Sequence, residues 1–184
     1  MEGVSVELHF FPCIMNNPVY HHRLQKWFKR NVDLQCSNVV NLPDEAGEIA
    51  VPTIAFNVIY QLCHLYHHFF DEGMGMRQMI DYYFVLVKDE EQGTKGQKAL
   101  AHDLRYLGLW KFAGAVMYVL HEVLGLPEDK MICPMDQKRG ELLLSEIMDG
   151  GNFGKHYVRY YPAEALSEPI FRTWHFFWRM KNKK

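Results

Sequence analysis

Three places in this sequence carry side chains whose types and spacing could do chemistry. The first is the run from Thr53 to Phe70, which contains no Asp, Glu, Lys or Arg. On a helix, Asn57, Tyr60, Gln61, His64, His67 and His68 share about a third of the circumference, and apolar residues such as Val58, Leu62 and Tyr66 fill the rest. A solvated helix face normally carries Lys and Glu. A polar stripe without charge therefore predicts enclosure, with its imidazoles and amides hydrogen-bonded to protein or lining a ligand pocket. His64 and His68 stand at i, i+4, a spacing that can also share a metal ion. No Glu follows His64 and no third ligand is set by spacing, so hydrogen-bonded interior histidines are the favoured reading and no metal site is assigned.

The second place is Gly73-Met74-Gly75-Met76-Arg77, which runs into a helix whose remaining faces are apolar. Arg77, Asp81 and Lys88 form the charged stripe of that helix. A cation in the first turn opposes the helix dipole, and Asp81 at i+4 is the obvious counter-charge, though in the poorer order for such a pair. Amide groups after the glycines, with Arg77, could instead hold an anion such as a phosphate. A tight interhelix turn anchored by an Arg–Asp bridge is the favoured of the two. The third place is the opening strand, where Glu7 and His9 share one face; a carboxylate beside an imidazole suits divalent-metal or general-base work. By pattern alone this is the solvated side of an amphipathic strand.

These groups need elements to position them. Val4, Val6, Leu8 and Phe10 alternate with Ser5, Glu7 and His9, which predicts a half-buried strand. Asn17-Pro18 starts a helix expected to run to about Arg30. Two short strands follow around residues 39–40 and 49–51, joined by the turn-rich Pro43-Asp44-Glu45-Ala46-Gly47. Helices are expected near 53–70, 76–88, 97–107, 109–124, 138–148 and 169–181. The fold class is α+β, short N-terminal strands followed by a mainly α-helical body. We expect a single domain over 1–184, with a strand-containing segment at 1–51 and a helical body at 52–184.

Composition narrows the function classes. The 184 residues are 48% hydrophobic and 23% charged, which excludes a disordered chain. Twenty Lys and Arg against 22 Asp and Glu leave a net charge of −2, so no nucleic-acid partner is expected. No apolar run approaches the about 20 residues of a membrane span. Cys13, Cys36, Cys63 and Cys133 are scattered, which reads as reduced thiols of a cytoplasmic protein.

Val6-Glu7-Leu8-His9-Phe10, then Gln61 through Phe70 with its His64, His67-His68-Phe69-Phe70, then Gly75-Met76-Arg77 through Asp81-Tyr82-Tyr83, occur in a telling order. Together with Tyr161-Pro162-Ala163-Glu164-Ala165-Leu166 and Trp174-His175-Phe176-Phe177-Trp178-Arg179, the set resembles an uncharacterised bacterial nucleotidyltransferase-like family, in its C-terminal part only. In such enzymes a Gly-Ser pair and a downstream Asp-x-Asp hold the nucleotide and two metal ions, and a third carboxylate on a later strand completes the site. The resemblance implies that Glu7 is that third carboxylate. It also implies a substrate-side polar pocket of His9, His64, His68, Arg77 and Asp81. This sequence has no Gly-Ser pair and no Asp-x-Asp, so the two-metal clamp cannot form from this chain by itself.

The expected function is thus the C-terminal portion of a nucleotidyltransferase-like protein, catalytically incomplete alone. No cofactor is expected on the isolated chain; Mg2+ and a nucleoside triphosphate would accompany a complementary catalytic half. That half is expected as a separately encoded partner, or the chain forms a homo-oligomer. A non-enzymatic protein-interaction module and a metal-dependent hydrolase using His64, His68 and Asp81 are the alternatives. Beyond Glu168, Arg172, Arg179, Lys181, Lys183 and Lys184 face no acidic residue. The Trp- and Phe-rich helix expected there is read as docking on the helical core rather than on an anionic membrane.

Overall fold

Asn17 and Pro18 open the first helix, α1 (Pro18–Ser37), by the chemistry their types predict. The Asn17 side chain accepts hydrogen bonds from the N–H groups of Val19 at 2.9 Å and Tyr20 at 3.2 Å. Pro18 sits in the first turn, where a missing N–H costs nothing. The computed structural model describes residues 12–88 and 94–150. The opening strand expected at 4–10 and the helix expected at 169–181 lie outside the described residues.

α1 runs past its expected end at Arg30 to Ser37, because no Gly or Pro interrupts that stretch. The Asn31 amide donates to the carbonyl of Trp27 at 2.8 Å, and the Asn38 N–H closes the last turn on Leu34 at 3.1 Å. Two short strands follow as expected, β1 (Val39–Asn41) and β2 (Glu48–Ala50), antiparallel with Val39 opposite Ala50 and Val40 opposite Ile49. Every residue of this hairpin is exposed.

The remainder of the described chain is helical: α2 (Ile54–His67), α3 (Met76–Val87), α4 (Thr94–Tyr106), α5 (Trp110–Leu124) and α6 (Gln137–Gly150). α2 continues through a π-helical turn, His68–Glu72, so the run expected over 53–70 is helical throughout. The architecture is α+β with a mainly helical body. No helix among the described residues is long and apolar enough to cross a membrane.

Each helix buries the face its apolar spacing marks. α2 buries Val58, Ile59, Leu62 and Leu65; α3 buries Met79, Tyr82 and Leu86; α5 is buried from Phe112 through Met117. Burying one such large side chain contributes about 1.5–3 kcal/mol. Polar ties fix the helices relative to one another. The Tyr82 hydroxyl donates to the Val58 carbonyl at 3.0 Å, locking α3 to α2. The Trp27 indole N–H donates to Asp103 at 2.8 Å, tying α1 to α4. The Thr53 N–H donates to the Gln35 side chain at 2.7 Å, fixing where α2 starts relative to α1. α6 lies directly along α5: Gly140 meets the Tyr118 ring where any Cβ would collide, and the Asp136 N–H donates to the Gly114 carbonyl at 3.0 Å.

Candidate functional site

The charge-free stripe of α2 forms a column of rings. Trp27 of α1 stacks on Phe56 at 5.0 Å between centroids, Phe56 is parallel to Tyr60 at 6.1 Å, and Tyr60 to His64 at 6.3 Å. The His68 ring stands edge-on to His64 at 4.3 Å. The i, i+4 spacing of residues 56, 60, 64 and 68 on one helix face produces this row, and the π-helical turn carries it past the end of α2. His68 is buried and His64 half-buried.

The two imidazoles are joined Nε2 to Nε2 at 2.9 Å, so one ring donates its N–H to the lone pair of the other. This is the interior, hydrogen-bonded histidine pair that an uncharged stripe predicts. The same two nitrogens are the ones a shared cation would need. Among the described residues no group of three His, Cys, Asp or Glu converges to hold a metal ion. Burial, followed by the neighbouring Cys13 and Cys63 thiols, raises the Tyr60 hydroxyl above its ordinary range, and burial raises the Cys63 thiol further.

Arg77 and Asp81 lie on α3, which packs against α2, but both are exposed. Neither makes a hydrogen bond or ion pair among the described residues, so the expected Arg77–Asp81 bridge is not formed. Two solvated side chains in the less favourable i, i+4 order gain too little from pairing to be held. The glycine loop serves as a turn. The Gly73 N–H donates to the His68 carbonyl at 2.7 Å, and the Gly75 N–H to the Gln78 side chain at 3.1 Å. Those two amides are therefore engaged within the protein rather than directed at an anion. The structure brings His64 and His68 together and joins neither Arg77 nor Asp81 to them by a described contact. Glu7 and His9 lie outside the described residues.

A family model described as an uncharacterised nucleotidyltransferase matches residues 1–125. The chain belongs to that family. No curated protein and no solved structure gives a match. The match includes the segment with Glu7 and His9, the histidine stripe, the glycine loop and all of α5, and it stops before α6.

Membership of the nucleotidyltransferase family raises the question of Mg2+ and a nucleotide, and the described residues do not supply a fit. Among the described residues no three ligands converge, and the one carboxylate assigned to that role by resemblance, Glu7, lies outside them.

A second feature escaped the sequence reading. A cleft of about 350 Å³ opens between the α4–α5 connection, the π-helical turn and α6. Arg105, Lys111 and Arg139 line it, together with Tyr20 and Trp110. The short run Arg105…Gly108…Trp110-Lys111 was the available signal, an aromatic between two cations at a helix-breaking glycine. Arg139 is far away in sequence, and only packing of α6 on α5 delivers it.

Proposed function

We propose that this chain is the substrate-side portion of a nucleotidyltransferase, catalytically incomplete by itself and completed by a segment that carries the Gly-Ser pair and the Asp-x-Asp carboxylates. Family membership over residues 1–125, in a sequence that contains neither motif, is the observation that supports this reading. Phosphoryl transfer by two metal ions needs several carboxylates to hold cations about 3.5–4 Å apart. Glu7 supplies one. In the assembled protein, Mg2+ and a nucleoside triphosphate belong to the completing segment and Glu7. His9, His64, His68, Arg77 and Asp81 are the substrate-side groups. The completing segment comes from a separately encoded partner, since a second copy of this chain would carry neither motif. A cytoplasmic location is part of this reading, and the four free cysteines support it.

The test is label transfer from nucleoside triphosphates with Mg2+ or Mn2+. The chain alone is expected to give none. Addition of a family segment bearing Gly-Ser and Asp-x-Asp is expected to give turnover that Glu7→Gln abolishes. Robust turnover by the chain alone, unaffected by Glu7→Gln, would overturn the reading.

The hairpin favours a second reading, a non-enzymatic interaction module. A pair of three-residue strands by itself is marginal in water, and among the described residues this one exposes Val39, Val40 and Ile49 together with strand edges that no described strand pairs. A partner protein adding a strand there would cover both. A strictly monomeric chain by light scattering, with no protein captured by it, opposes this reading.

A further inference from the structure

The histidine pair at the end of α2 has a geometry that a hydrogen bond alone does not require. Its Nε2 atoms are 2.9 Å apart and its ring centroids 4.3 Å apart, with the ring planes at 84°. Two imidazoles aimed head-on through one N–H would put their centroids about 5.2 Å apart at that nitrogen separation. The pair falls well short of this, so the rings are angled. Two imidazoles directed at one cation at right angles, with metal–nitrogen bonds of about 2.05 Å, have nitrogens about 2.9 Å and centroids about 4.5 Å apart. The pair nearly matches both separations. A tetrahedral angle at the cation would hold the nitrogens about 3.3 Å apart, wider than they are.

The helix holds both rings there by itself. Their i, i+4 spacing puts them on one face, and the Tyr60 ring lies parallel to His64 at 6.3 Å from its other side. His68 is buried, whereas His64 is half-buried and meets water. Among the described residues no third His, Cys, Asp or Glu joins them, so water fills the remaining positions on a cation. The donor type selects the cation. Neutral imidazole suits copper, nickel and zinc, while Mg2+ takes oxygen ligands. Nitrogens at right angles are neighbouring positions of a tetragonal ion, which points to Cu2+ or Ni2+ over tetrahedral Zn2+.

We propose that His64 and His68 form a two-histidine site for a tetragonal divalent cation, Cu2+ or Ni2+, held through both Nε2 atoms in neighbouring positions. The proton that the rings share moves from Nε2 to Nδ1 of the ring that carries it. This frees both lone pairs and releases no proton. A hydrogen bond on the Nδ1 side of either ring favours that tautomer. The inference stands on the geometry of the pair and not on nucleotidyl transfer, whose cation is Mg2+.

The test is calorimetric titration of the full chain with NiCl2 and ZnCl2, without nucleotide, in a Cys36→Ser background that removes the exposed thiol. Ni2+ is expected to bind more tightly than Zn2+, and excess MgCl2 is expected not to displace it. His64→Gln is expected to weaken Ni2+ at least about tenfold, the smallest loss seen when even a group supporting a metal ligand is removed. His102→Gln, at an exposed histidine elsewhere, is expected to leave Ni2+ binding unchanged. Ni2+ is also expected to raise the thermal midpoint when His64 is present and not in His64→Gln. Electron paramagnetic resonance with one equivalent of Cu2+ reads the site without a histidine variant and is expected to show two nitrogens in the tetragonal plane. No Ni2+ binding at millimolar concentration, Ni2+ binding that His64→Gln leaves unchanged, Zn2+ held more tightly than Ni2+, displacement by Mg2+, or a Cu2+ signal with fewer than two nitrogens would overturn the proposal.

Discussion

Gly108 carries a test of how the α4–α5 connection is held. Its φ is +72°, and a Cβ built there would lie 2.5 Å from the Tyr20 ring. Two costs follow for Gly108→Ala, and they are separable. The left-handed backbone conformation costs an alanine about 1–2 kcal/mol relative to glycine, whatever surrounds it. The collision with Tyr20 adds the cost of overpacking, about 1–3 kcal/mol, because the ring must move about an ångström to reach ordinary contact. Tyr20 is not free to do so without loss: the Arg23 guanidinium sits over its ring at 5.6 Å and over Tyr106 at 5.1 Å, and Arg23 donates to the Tyr106 carbonyl at 3.0 Å. The sum, about 2–5 kcal/mol, is a large part of the 5–15 kcal/mol typical of a folded domain. Urea unfolding followed by far-ultraviolet circular dichroism measures it. A double-mutant cycle with Tyr20→Ala separates the terms: in that background Gly108→Ala is expected to cost only the backbone share, about 1–2 kcal/mol. A Gly108→Ala protein within about 0.5 kcal/mol of the parent would refute the reasoning, since surface-like tolerance is incompatible with a left-handed, sterically blocked position. So would an identical cost in both backgrounds, which would mean that the ring is not what the Cβ meets.

Other outcomes follow from single contacts. Trp27→Phe removes the indole N–H held by Asp103 and is expected to lower stability by about 1–2 kcal/mol, checked by the shift in urea midpoint at constant slope. Of the four cysteines, Cys36 is exposed while Cys13, Cys63 and Cys133 are buried, so a disulfide reagent at pH 8 is expected to label one thiol quickly in the native protein and four after unfolding. Burial pushes the Cys133 thiol up to about 12, with Arg105 opposing, whereas an unfolded thiol titrates near about 8.5. The folded state therefore holds a proton that the unfolded state releases. Stability is expected to fall as pH rises above about 8.5, and Cys133→Ala is expected to flatten that alkaline limb. Asp136 behaves in the opposite sense. Burial raises its carboxyl, but hydrogen bonds and charge from Arg139, with Lys111 adding, outweigh this and leave it below the usual value. Its contribution is present above about pH 4 and lost as pH falls through the lowered value, so Asp136→Asn and the parent are expected to converge in acid.

The amino-acid sequence by itself determined the elements. Asn17-Pro18 can only cap and open a helix, the alternation around Val39 and Ile49 on either side of Pro43–Gly47 reads as a hairpin, and 3.6-residue spacing marks α2 through α6. These are local properties, set by backbone sterics and by which side chains recur on one face. The i, i+4 order of His64 and His68 belongs to the same class, which is why the histidine pair was legible before any packing was known, whereas the ring column also needs Trp27 of α1 packed on Phe56. The end of α1 was not legible. Nothing between Asn31 and Ser37 stops a helix or demands one, and its contacts with the hairpin and with the start of α2 decide its length. Arg77 and Asp81 show the limit from the other side: their spacing permits a bridge, but whether it forms depends on how much water reaches them, and α3 leaves both in solvent. The cleft was decided by tertiary structure alone. Arg105, Trp110 and Lys111 become a wall only because Gly108 turns the chain against Tyr20. Arg139 joins them only because Gly140 lets α6 close on Tyr118 of α5. A cleft lined by residues 20, 66, 105 and 139 depends on interhelical distance, and interhelical distance follows from the size of side chains that are far apart in the sequence.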